Sequence, residues 1–287
     1  MVSDDAVRRA RVASGAVCFL MMPMKLLILD VDDTLFDWLT MWSESFGAAL
    51  ATLLSATRLS ETELLAALRA LNRSARTSER GFTHDDAEML GVNRDTVAAL
   101  ASQFENDSRQ RTQLFPDVLG TLAELKRRGV TLVAHTDTPV EVGADRFVQL
   151  GLDGIVDALF ATAVKGAVLH RRHLNRPQRA RLFEVPHPKP DRRAIGQILA
   201  EYGRVASECI YVGDSKMKDI AMARAAGVTD IFAAYGCRRT STSYELLRKV
   251  SHWTDDDIAY EKSLLAVEPT HSLEQFSDIL RFVPSSP

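Results

Sequence analysis

The chain has 287 residues, of which 46% are hydrophobic and 25% charged, enough for a sizeable core and too ordinary for a disordered, collagenous or low-complexity protein. A net charge of −3, from 35 basic and 38 acidic residues, gives no whole-protein attraction to nucleic acid or an anionic membrane, so any basic site is local. The cysteines, Cys18, Cys209 and Cys237, are far apart and form no C-x-x-C pair, which argues against a disulfide framework or structural zinc and fits a reducing cytoplasm.

Residues 1–23 read as a loosely ordered extension, with Met24 a natural first residue of the fold. The apolar run from Gly15 to Met24 follows a leader that mixes Asp4 and Asp5 with Arg8, Arg9 and Arg11, and it flows directly into a strand, unlike a cleaved export signal. No run reaches the roughly 18 apolar residues that a membrane-spanning helix needs. Short apolar runs ending in Asp, Thr or Gly then recur between helical patterns, as expected of buried parallel strands in an α/β fold. They are Lys25–Asp30, Val130–His135, Glu208–Gly213 and Val228–Ala234, with a weaker one at Asp157–Ala161. Val118, Leu122 and Leu125 form one helical face that stops at Gly129; Ile195, Ile198, Leu199 and Tyr202 form another that stops at Gly203. These are crossover helices.

Between the first two strands, residues 38–112 show no strand pattern and read as an all-helical insert. Leu39, Trp42, Phe46 and Leu53 share one face, with Trp38 and Trp42 serving its core. Leu64, Leu68, Leu71 and Ala75 share the next, opened by the capping box Ser60-x-x-Glu63, and Val97, Leu100, Ala101 and Phe104 share a third after Asn93. Arg69, Arg73, Arg76 and Arg80 fall on the opposite side of the second helix and read as a solvated outer face. The fold class is therefore α/β, with a Rossmann-like parallel-sheet core over 24–37 and 113–287. The segment after Gly236, with Thr254-Asp255-Asp256-Asp257 and the capping-type Ser272-Leu273-Glu274-Gln275, reads as closing helices and loops.

The chemistry gathers where strands end. The first strand runs into Asp30-Val31-Asp32-Asp33-Thr34, and in extended backbone residues i and i+2 point the same way, so Asp30 and Asp32 converge. Paired carboxylates repel unless a cation intervenes, an arrangement suited to a nucleophile beside an acid/base with a hard metal ion between them. The second strand ends on His135-Thr136-Asp137, offering a hydroxyl, and His135 reads simply as a strand-end residue. In Pro188-Lys189-Pro190-Asp191 the second proline marks a helix start and leaves the Lys189 ammonium at the strand-end face. The third long strand runs into Gly213-Asp214, and Asp219 follows at a helix start. In an open parallel sheet these carboxyl ends form the ligand crevice.

As a set, over roughly residues 24 to 236, these pieces resemble the haloacid dehalogenase superfamily of phosphohydrolases. Its motifs are an Asp-x-Asp-x-Thr/Val strand end, a strand-terminal Ser/Thr, a Lys opening a later helix, and Gly-Asp-x-x-x(-x)-Asp. The resemblance implies that Asp30 is the nucleophile, forming an aspartyl-phosphate, and that Asp32 protonates the leaving group and then activates water. Thr136 and Lys189 would hold phosphoryl oxygens, while Asp30, the Asp32 carbonyl, Asp214 and Asp219 would serve a Mg²⁺ ion. The insert 38–112 looks like a cap of the first class, which chooses the substrate. Asp137, where relatives often carry Asn, stands either beside the bound phosphate or as a cap for a helix beginning near Pro139.

The implied activity is Mg²⁺-dependent hydrolysis of a small phosphomonoester such as a sugar phosphate, a nucleotide or a phosphoglycolate-like metabolite. A phosphomutase of the same superfamily and a non-catalytic phosphate-binding regulator are the alternatives. Related dehalogenases lack the second carboxylate that Asp32 supplies, and the family's phosphonate cleavage needs a cap Lys, which 38–112 does not contain. Residues 165–187 carry Lys165, Arg171, Arg172, Arg176, Arg179 and Arg181 against Glu184 alone, and read as a basic loop leaving a strand near the site mouth: a flap attracting anionic substrate, or a surface loop.

Overall fold

The computed structural model describes residues 24–162, 179–237, 241–264 and 266–283. The extension 1–23, and Lys165, Arg171, Arg172 and Arg176 of the basic stretch, lie outside the described residues. Seven parallel strands form one sheet in the order β4-β3-β2-β1-β5-β6-β7. They are β1 (Leu26–Leu29), β2 (Thr131–Pro139), β3 (Ala158–Thr162), β4 (Arg181–Val185), β5 (Cys209–Gly213), β6 (Thr229–Ala233) and β7 (His271–Leu273). The chain builds outward from β1 through β4, then returns to the other side of β1 for β5 through β7. This reversal opens a crevice beside the carboxyl end of the central strand.

β1 is apolar on both faces because helices cover both sides, and all its residues are fully buried. Leu29 lies opposite Ala134 of β2 and Val212 of β5. That register sets Asp30, His135 and Gly213 at one level, the level at which the site forms.

The insert contains α1 (Trp38–Ala56), α2 (Glu61–Ala75) and α3 (Arg94–Arg111). Ser60 and Glu63 cap α2 reciprocally, and the Asn93 side chain accepts the Thr96 N–H at 2.7 Å to start α3. Leu39, Trp42, Phe46, Leu53, Leu64, Leu68, Val97 and Leu100 are buried as their spacing predicts, and Trp42 stacks between Trp38 and Phe46. In the core, α4 (Val118–Arg127), α5 (Val140–Gln149), α6 (Arg193–Tyr202) and the short α7 (Ala221–Ala225) connect strands.

Several expectations are corrected. The basic stretch is not wholly loop: residues 181–185 pair with β3 as the edge strand β4, where Arg181 bonds Glu201 at 2.7 Å and lies over the Tyr202 ring. Pairing to β3 offers Leu182, Phe183 and Val185 apolar cover that overrides the charge pattern. Pro190 does not open a helix; α6 begins at Arg193, after a turn through Lys189 and Pro190. Ser272 and Leu273 lie in β7 rather than capping a helix, because Leu273 is fully buried beside β6.

The closing segment forms α8 (Ser241–Val250) and α9 (Asp255–Ser263), the latter capped by Thr254. It covers part of the arginine face of α2, which is therefore not simply solvated. Arg69 lies 3.6 Å from Asp255 and Arg73 donates to the Trp253 carbonyl, whereas Arg80 is not on the helix, which ends at Ala75, and bonds the buried Asp86 at 2.7 Å. The Asn72 amide donates to the Val250 carbonyl at 2.7 Å, pinning the end of α8 to α2.

One backbone approach ties the turn after β6 to the loop after β1. A Cβ on Gly236 would stand 1.7 Å from the Asp33 carbonyl oxygen, while one on Gly196, inside α6, meets nothing within 4 Å. Gly236→Ala is expected to lower unfolding free energy by about 1–3 kcal/mol or more through overpacking, and Gly196→Ala to raise it by roughly 0.5–1 kcal/mol. Urea denaturation of both variants checks this; equal stability would contradict the close approach.

Candidate active site

β1 stops at Leu29 and the chain turns sharply, with Asp33 in the left-handed region at φ 55° and its side chain accepting the Leu39 N–H at 2.9 Å. Thr34 then folds back so that its hydroxyl donates to Asp30 Oδ2 at 3.0 Å. The other Asp30 oxygen, Oδ1, accepts from the Lys189 ammonium, which also donates to Asp219 Oδ1 at 2.8 Å. All three groups are buried. The Tyr211 hydroxyl, donating at 3.2 Å, and the Ser215 N–H, at 3.0 Å, complete the bonds to Asp219.

Burial pushes Asp30 well above the usual carboxylate range; Lys189 opposes the shift, and Asp219, Asp214 and Asp32 add to it. Burial works against the Lys189 charge, but Asp219 and Asp30 outweigh it and hold the ammonium well above its ordinary value. The cluster is thus short of positive charge even with Lys189 protonated. Asp30, Asp214 and Asp219 offer carboxylate oxygens all within 4.8 Å of one another. Hard oxygen donors gathered this closely suit a divalent cation of the Mg²⁺ type. Gly213 makes the gathering possible, since a Cβ there would stand 2.4 Å from the Asp219 carboxyl.

Asp32 faces the same cleft from the other side. Its Oδ2 accepts from Thr136 Oγ1 at 3.1 Å and Thr138 Oγ1 at 3.0 Å, and its Oδ1 from Arg146 Nη1 at 2.6 Å. Arg146, on α5, lies over the Phe36 ring, and its Nη2 reaches Glu79 of the insert at 3.3 Å. Burial pushes Glu79 upward in pKa, against the pull of Arg146.

Asp137 does not cap α5, whose first turn receives no side-chain bond. Its Oδ1 accepts the Lys189 backbone N–H at 2.9 Å and its Oδ2 the Lys218 ammonium at 2.8 Å. Burial works against its charge, yet Lys218 and Lys189 prevail and hold it down at about 2. With both oxygens committed to lysine donors, Asp137 braces the Lys189 turn. His135 sits buried behind the site with Nδ1 3.1 Å from the Tyr211 hydroxyl, and burial, then Lys189, pushes it down to about 3.

The structure therefore brings Asp30, Asp32, Thr136, Asp137, Lys189, Asp214 and Asp219 together at the strand ends. Sequence reasoning missed Thr138, Arg146, Glu79, Lys218 and Tyr211. The rule that pairs Asp30 with Asp32 also pairs Thr136 with Thr138, and Lys218 lies inside the closing motif. Arg146 and Glu79 carried no local signal.

The cleft above these groups holds about 210 Å³. A larger hollow of about 470 Å³ lies at the amino ends of β2 to β4, lined by Lys126, Asp157 and Tyr202 among others. There the Lys126 ammonium is taken by Asp157 at 2.7 Å, and none of the groups just described reaches it.

Comparison with known proteins gives the chain's relatives. The chain is 28% identical over 216 residues to phosphoglycolate phosphatase 1 of Pseudomonas aeruginosa, covering 74% of this chain and 70% of that one. It is 26% identical over 252 residues to a phosphoserine phosphatase of Thermus thermophilus, covering 75% of this chain and 90% of that one. Its fold matches that of the HAD-hydrolase YfnB from Bacillus subtilis, solved bound to magnesium, with a TM-score of 0.53 at 14% identity over 91% of this chain and 99% of that one. Residues 24–227 match the family described as haloacid dehalogenase-like hydrolase, and the chain belongs to that family.

Proposed function

We propose that the protein is a Mg²⁺-dependent phosphomonoesterase in which Asp30 is the nucleophile and Asp32 the acid and base. The supporting observation is the placement of two carboxylates on one cleft with separate partners: Asp30 with Lys189 and Thr34, Asp32 with Thr136, Thr138 and Arg146. A carboxylate oxygen of Asp30 attacks phosphorus, the ester P–O bond breaks, and the leaving oxygen takes a proton from Asp32. Asp32 then removes a proton from water as that water attacks phosphorus, which breaks the Asp30–phosphorus bond and releases inorganic phosphate.

Asp30, the Asp32 carbonyl, Asp214 and Asp219 are the residues that would hold Mg²⁺. The ion would supply charge neutralisation for phosphoryl oxygens. Lys189 offers its ammonium to those oxygens while Asp219 keeps it oriented. Thr136, whose hydroxyl donates to Asp32 here, exchanges that bond for one to phosphate. The helical segment 38–112 is read as the cap, because Glu79 from it joins Arg146 and Thr138 beside Asp32. Closure of such an element excludes water and orients the leaving group.

Asp30→Asn is expected to lower turnover of an aryl phosphate by on the order of 10³-fold or more, since the nucleophile is removed outright. Chelation with EDTA is expected to abolish the same activity and added Mg²⁺ to restore it; full activity in either experiment contradicts the mechanism. Arg146→Met is expected to lower kcat by about 10- to 100-fold, the cost of losing orientation at a reacting group, with KM changed much less and partial recovery in Arg146→Lys. Steady-state kinetics on folded variants read this, and an unchanged kcat would show that Arg146 does not position Asp32.

A further inference from the structure

The closing segment does more than cover α2. Tyr244, Leu247, His252, Trp253, Ile258 and Glu261, all from α8, α9 and the link between them, line the same cleft as Asp30 and Asp32. This segment lies outside the residues 24–227 matched to the family. It is fastened to the insert: Ser78 Oγ lies 3.0 Å from His252 Nδ1, and the Asn72 amide holds the Val250 carbonyl. It also touches the core, where the Lys218 ammonium stands 5.9 Å from the centre of the Trp253 ring.

Trp38 and Leu39 of α1 add to this wall from the other side. The lining beyond the phosphate end thus joins aromatic and aliphatic side chains to the small polar Thr77, Ser78 and Ser251. Its cations are committed or exposed: Lys218 is bound by Asp137, and Arg248 stands in solvent at the rim, where attraction is screened. Burial, reinforced by Lys218, pushes His252 down to about 4, so it is uncharged at neutral pH. Glu79 is paired with Arg146, and Glu261, which accepts from the Tyr244 hydroxyl at 2.6 Å, adds an acidic group to the wall. A leaving group bearing a carboxylate meets repulsion here, while a flat neutral ring meets faces that it can cover. The cleft, shared between the phosphoryl end and this wall, holds about 210 Å³.

Resting on the phosphomonoesterase reading, we propose that the closing segment forms a leaving-group subsite selecting phosphomonoesters whose alcohol carries a flat, uncharged ring, with Trp253 and Ile258 as its specificity-determining residues. The test compares kcat/KM for benzyl phosphate, ethyl phosphate and 2-phosphoglycolate with Mg²⁺. All three release a primary alcohol, so leaving-group chemistry is held similar while the appended group changes. Benzyl phosphate is expected to exceed ethyl phosphate by about tenfold or more, the scale of discrimination an apolar subsite provides, and 2-phosphoglycolate to fall below ethyl phosphate. Trp253→Ala is expected to reduce the benzyl-to-ethyl ratio by about fivefold or more, and the partly exposed Ile258→Lys to raise the phosphoglycolate-to-ethyl ratio by a similar factor. Thermal melts identify folded variants, and either variant suffices. A wild-type preference for 2-phosphoglycolate, or ratios unchanged in the folded variants, overturns the subsite and leaves the phosphatase reading standing. No turnover of any of the three esters overturns both.

Discussion

The site is organised around one buried ammonium. Lys189 bridges Asp30, at the end of the central strand, and Asp219, in the helical turn after the neighbouring β5, where pairing of the two strands sets the acids side by side and the ammonium joins them. Without a cation, two buried acids so close to Asp214 would force a proton onto the cluster or push the loops apart. Lys189 is itself held in place, because Asp137 receives its backbone N–H and anchors through Lys218 to the turn that carries Asp219. The loops after β1, β2 and β5, together with the turn that opens α6, are thereby linked by charge as well as by the pairing of β1 with β2 and β5.

Asp32 has the opposite environment. Two hydroxyls from β2 and the Arg146 guanidinium fix its carboxyl group, and Arg146 connects it to Glu79 in the helical segment. One cleft therefore holds two carboxylates with different surroundings, which is the physical basis for giving them different roles. The link from Asp32 through Arg146 to Glu79 also couples the geometry of the proposed acid and base to the position of the proposed cap.

Much of this arrangement was legible in the sequence because it depends on local pattern. Four apolar runs locate strands at the middle of the sheet, and their terminal residues lie at one level by register. The capping residues Ser60 and Asn93 start helices where the spacing places them. The edge strands were harder. β4 is charged and half exposed, and β7 is three residues long, so neither carries the continuous apolar run that marks a strand buried on both faces. The two roles left open for Asp137 could not be separated in the sequence, because the groups that claim it, Lys189 and Lys218, are distant from it along the chain. Arg146 and Glu79 are brought together only by the packing of α5 beneath the helical segment, and the contribution of α8 and α9 to the cleft likewise depends on long-range contacts with α2.

The central claim is that Asp30 carries the phosphoryl group during turnover. It is tested most directly by acid-quenching the enzyme during steady-state hydrolysis, reducing acyl phosphates with borohydride, and mapping the modified residue by mass spectrometry. Conversion of Asp30 to homoserine, dependent on substrate and Mg²⁺, is the predicted result. Modification at another carboxylate, or at none while phosphate is being released, would contradict the account.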